Sequence, residues 1–127
     1  MKFLAAGLFA LLSLAIVMNT NLAGEKPKYT ISQVMKTAHV GDDESLLAKV
    51  ADGSADAKEK KQLVELYKAL SQNKPPKGDE KSWKMLTGGL IKAAEAAAGG
   101  GEDAGKALIK AANCTGCHSK HRPVKKE

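Results

Sequence analysis

Two thiols and an imidazole stand together near the C-terminus, in Asn113-Cys114-Thr115-Gly116-Cys117-His118. These are the only two cysteines of the 127-residue chain. Residues three apart on a helix share a face, so both thiols can add to the two vinyl groups of one haem. The next residue, His118, is then carried under the ring, where its imidazole can bind the iron. Thr115 and Gly116 are small enough to let a porphyrin edge approach. C-x-x-C-H is the attachment sequence of c-type haem, so Cys114 and Cys117 are read as haem-binding and His118 as an iron ligand. A Cys114–Cys117 disulfide in a haem-free helical module remains open in an oxidising compartment. A thioredoxin-like dithiol would need a βαβ pattern that is missing here. Zinc would need a second ligand pair, which the spacing of His39, His118 and His121 does not supply.

Helices must position this motif. Gly41-Asp42-Asp43, Asp52-Gly53-Ser54, Asn73 to Gly78 (with Pro75-Pro76) and Gly99-Gly100-Gly101 punctuate the chain and divide it into four helical blocks. The first spans about Thr30 to His39, with a continuation at Glu44 to Val50. Ile31, Val34, Met35 and Ala38 recur there at helical spacing. The second spans about Ala55 to Gln72, with Leu63, Leu66, Tyr67 and Leu70 as its stripe and Asp56 with Glu59 as a capping box. The third spans about Glu80 to Ala98, capped by Asp79, with Trp83, Leu86, Leu90, Ala94 and Ala97 on one face. The fourth is predicted as one helix from about Glu102 to Ser119, with Ala104, Leu108, Ala111 and Ala112 inward. No stretch alternates strictly, so the expected fold is all-α, an antiparallel four-helix bundle with the haem on its C-terminal helix.

The N-terminus reads Met1-Lys2-Phe3, then an apolar run from Leu4 to Met18, then small residues around Ala23 and Gly24. That order is the layout of a secretory signal peptide, and the run is shorter than the roughly 20 residues of a spanning helix. Residues 1–23 are therefore read as a leader, with an uncleaved N-terminal anchor as the competing reading, and 24–127 as one haem-binding domain, exported to the periplasm or its equivalent without stable membrane insertion once the leader is cut. Phe3 and Phe9 go with the leader, leaving Tyr29, Tyr67 and Trp83 as the aromatics of a thin aliphatic core. The formal charge is +6, with a terminal cluster of Lys120, Arg122, Lys125 and Lys126. These charges read either as an ordinary solvated surface or as a docking face that speeds encounter with an acidic redox partner protein. Nucleic acid is not expected, because no binding motif or aromatic–basic interleaving occurs. No second constellation of acid, base or nucleophile accompanies the haem motif, so no enzyme is read.

A C-x-x-C-H on the last helix of an expected four-helix bundle resembles the class II cytochromes c, the cytochrome c′ family. Class I cytochromes differ, with the motif near the N-terminus and a methionine ligand after it; here Met35 and Met85 both precede it. In the family a Tyr-Arg pair follows the haem histidine after two residues. Here the run is His118-Ser119-Lys120-His121-Arg122. Arg122 matches the arginine near the haem, and His121 stands in place of the tyrosine. The resemblance implies electron transfer through one covalent haem c, with Lys120 and Arg122 near propionates or partner. It also implies that the first helix covers the distal face of the iron. Low-spin members put a methionine there, which makes Met35 the candidate sixth ligand and His39, one turn later, the alternative; the readings beside these are a core gap-filler for Met35 and a capping or surface histidine for His39. High-spin members leave iron five-coordinate and bind nitric oxide or carbon monoxide, which is the second functional reading. Met85 is read as core or surface, and Tyr67 and Trp83 as bundle anchors. Members of the family often pair as homodimers through their first two helices, although no apolar excess here requires it.

Overall fold

The computed structural model describes residues 26–124. Among the described residues the chain is all-helical: α1 (Ile31–Ala38), α2 (Leu46–Asp52), α3 (Ala57–Gln72), α4 (Glu80–Ala98), α5 (Ala104–Ala111) and α6 (Cys114–His121), with a 3-10 turn at Asp42–Glu44. The leader read at residues 1–23, and Lys125 and Lys126 of the basic cluster, lie outside this range.

Every α-helix except α5 begins where a side chain satisfies a free amide of its first turn. Thr30 and Gln33 form a capping box on α1. Asp56 and Glu59 form the expected one on α3, with hydrogen bonds of 2.8 and 3.0 Å. Asp79 accepts from the Ser82 amide at 2.7 Å to start α4. At the other end of α3, Asn73 joins three segments. Its side-chain amide donates to the Tyr29 and Ala69 carbonyls, and its own carbonyl accepts from the Trp83 indole at 2.8 Å.

The first block is two helices, as its sequence allows. Gly41, at φ +113, turns the chain after His39, and Ser45 caps α2. The fourth block departs from expectation. Residues 102–119 are not one helix: the chain leaves helical geometry at Ala112 and Asn113, and α6 starts afresh with Asn113 as its cap. The Asn113 side chain takes the Gly116 amide at 3.0 Å. Asparagine competes for backbone partners in this way and favours caps over helix interiors.

The apolar stripes meet in one core. Leu63, Leu66, Tyr67 and Leu70 of α3 are buried, and they join Val34, Val50, Trp83, Leu90 and Leu108 from four other helices. Leu86 of the expected α4 stripe is only half-buried, and Thr87 is buried instead, its hydroxyl donating to the Trp83 carbonyl at 2.8 Å. The α3 helix lies against α1, α2 and α4, while α5 lies between α2 and α4. Gly105 permits the α2–α5 contact, since a Cβ there would run into the Ala51 carbonyl. No helix among the described residues is long and apolar enough to cross a membrane.

Candidate functional site

The α6 helix carries the motif. Its first turn presents Cys114 to solvent and leaves Cys117 half-buried, both as free thiols. Burial pushes the Cys117 thiol up from its ordinary pKa, and neighbouring Cys114 adds to the effect. His118 is exposed. Gly116 lets the cap sit close, because a Cβ there would come within 2.9 Å of the Asn113 side-chain nitrogen and push that side chain aside.

Two mostly apolar clefts flank this turn, of about 290 and 430 Å³. Met35, His39, Cys114, Cys117 and His118 line both. The fold thus brings together the two thiols, His118 and both candidate sixth ligands read from the sequence. Leu70, Leu86, Leu90, Ala111 and Ala112 complete the wall of the first cleft. Trp83, His121 and Arg122 belong to the second. Met85 is 68% exposed and lies at the edge of the first cleft, the surface alternative of its sequence reading. Lys120 is exposed and lines neither cleft.

The two distal candidates differ in their bonds. Met35 is partly buried against the core and lines both clefts. His39 is the C-cap of α1, and its Nε2 shares a 2.9 Å hydrogen bond with the Tyr67 hydroxyl. The two rings meet edge to face, 5.8 Å apart. Burial, and then nearby His118, hold His39 below the ordinary imidazole range, so it is neutral at pH 7 and keeps a lone pair. Burial likewise raises the Tyr67 phenol, with Cys114 adding to the effect.

His121 is the residue that sequence reasoning undervalued. On sequence it only stands in place of a tyrosine, yet its imidazole makes an aromatic contact of its own. His121 is 2% exposed and meets the Trp83 ring edge to face at 5.3 Å. Its Nδ1–H donates to the Lys77 carbonyl at 2.8 Å, which leaves Nε2 to accept from the Ser82 hydroxyl at 3.1 Å. That tautomer follows from the carbonyl partner, which can only accept. Gly78 makes room: at φ +81, a Cβ there would come within 2.7 Å of the Lys120 carbonyl and 2.8 Å of His121 Nδ1. The available signal was spacing, since Cys117 and His121 are four apart and share a helix face.

Among the described residues, no three His, Cys, Asp or Glu side chains converge on a point where they would hold a bare metal ion. The site instead offers thiols on one turn, one exposed imidazole, and two soft or borderline donors across an apolar gap. Comparison of the chain with protein-family models, with characterised proteins and with solved structures returns no match.

Proposed function

We propose that this chain is an exported monohaem c-type cytochrome of the class II kind, which transfers electrons through haem c held by Cys114, Cys117 and His118. The observation that carries the reading is the convergence of that triplet with Met35 and His39 on the same apolar clefts. The residues fit the group. Two thiols one helical turn apart match a bis-thioether attachment, and the clefts together fall in the range of about 300–1,000 Å³ typical of ligand sites. When bound, haem c supplies a one-electron ferrous–ferric couple.

The chain's own residues do the rest. His118 offers the proximal nitrogen. Met35 is the better sixth ligand, because its sulfur is uncommitted while the Nε2 of His39 is engaged by Tyr67. Leu70, Leu86 and Leu90 exclude water from one face. Arg122, which lines the second cleft, is placed to meet a carboxylate such as a propionate. In this reading the six helices are four antiparallel arms, the first and last each interrupted once. Export follows from the leader, and an acidic redox protein is the partner that the basic surface would favour.

A haem stain of denatured protein, made in a host with c-type maturation, tests the attachment, because a covalent haem survives denaturation. A stained band is expected, and its absence would overturn the reading in favour of a haem-free module. Spectra of the oxidised, reduced and carbon-monoxide-treated protein test the rest. A low-spin ferric iron with a sulfur-to-iron charge-transfer band, inert to carbon monoxide when reduced, is expected. A high-spin iron that takes up carbon monoxide would replace electron transfer with the gas-binding reading. Met35→Ala should abolish the sulfur band completely, and retention of the band excludes Met35 as ligand.

A further inference from the structure

We infer that Tyr67 is a positioning residue that keeps His39 off the haem iron and so decides the sixth ligand in favour of Met35. The inference rests on the haem reading above. Met35 and His39 sit one turn apart at the end of α1, and both line the clefts beside His118. An imidazole in that place is a competent iron ligand, so something must bias the choice.

Tyr67 supplies the bias. Its side chain is wholly buried in α3, and it lines neither cleft. The hydrogen bond to its hydroxyl therefore ties His39 Nε2 toward the protein interior. Among the described residues, that bond is the hydroxyl's one partner, and no buried polar side-chain atom is left unsatisfied. Swinging Nε2 to the iron would strand a buried phenol, which is unfavourable. The remaining nitrogen, Nδ1, lies beside the carbon that joins the ring to the backbone, so the α1 terminus would crowd any macrocycle bound there. Met35 has no competing bond and a flexible, unbranched chain.

The test uses the holoprotein and reads axial ligation and midpoint potential. In Tyr67→Phe, Nε2 is freed. The expected result is a bis-imidazole low-spin spectrum, loss of the sulfur band and a lower potential, since a thioether raises the potential relative to a second imidazole. Tyr67→Phe/His39→Ala should restore the wild-type axial spectrum, which separates a ligand swap from general loosening. Tyr67→Phe with unchanged ligation would overturn the inference. So would a wild-type protein that is already bis-imidazole and loses that signature in Tyr67→Phe, since the phenol would then support ligation. Should Tyr67→Phe not fold, His39→Ala alone decides: unchanged axial ligation supports the inference and altered ligation overturns it. Absence of covalent haem from the wild type overturns the haem reading together with this one, whereas an unchanged Tyr67→Phe spectrum overturns this one alone.

Discussion

Gly105→Ala should lower stability by about 2–3 kcal/mol, while the same exchange at Gly88 should raise it by about 0.5–1 kcal/mol. Both glycines lie inside helices, where alanine is intrinsically preferred by about 1 kcal/mol. At Gly88, on α4, a new Cβ meets nothing within 4 Å, so the propensity gain stands. At Gly105 the Cβ would collide with the Ala51 carbonyl, and the carbonyl carbon lies only 2.9 Å away. That neighbour is backbone of α2, which cannot rotate aside as a side chain can. The helices must separate, and α2–α5 packing is lost along its length. Against a total stability of about 5–15 kcal/mol, the loss is large. Urea unfolding of both variants measures it, as a shift of midpoint with unchanged slope. A Gly105→Ala protein as stable as wild type would show that α2 and α5 do not cross at this point.

His121→Ala should cost about 2–4 kcal/mol, from two hydrogen bonds, an aromatic pair and the cavity left behind. The damage should concentrate on α6. That helix has eight residues, too few to persist alone in water, and the break at Ala112–Asn113 denies it support from α5. His121 is its one buried residue, joined to Lys77, Ser82 and Trp83. Amide hydrogen exchange is the measurement. Amides of α6 should exchange much faster in His121→Ala, while those of α3 change little. His121→Asn, which keeps a donor for the Lys77 carbonyl, should recover part of the protection. Uniform acceleration across α3 and α6 would mean that α6 opens only with the whole fold.

The difference between α4 and the last block shows what local sequence can and cannot say. The α4 boundaries were legible because Pro75-Pro76, Asp79 and the triple glycine at 99–101 act locally, through missing donors, a cap and chain freedom. The break at Ala112–Asn113 has no proline or glycine, and Ala111-Ala112 reads as good helix. Only the carboxamide of Asn113, reaching the Gly116 amide, ends one helix and begins another. The site divides likewise. That Cys114, Cys117 and His118 stand together was legible because they are neighbours on one helical turn, and that Met35 and His39 line the same clefts because they share one face of α1. The bond between His39 and Tyr67 joins residues 28 apart in sequence, and that between His121 and Lys77 joins residues 44 apart. Such pairs are set by how helices cross, which no local pattern encodes.

Trp83 holds Asn73 with its indole N–H, borders the second cleft and lies edge-on to His121. It is also the only tryptophan in the chain. Its fluorescence therefore comes from one place, against the helix that carries the cysteines. Emission from this protein measures whether α6 is seated and whether an absorbing group fills the cleft beside it. The residue that closes the α3–α4 junction is a built-in optical gauge of the segment that carries the cysteines.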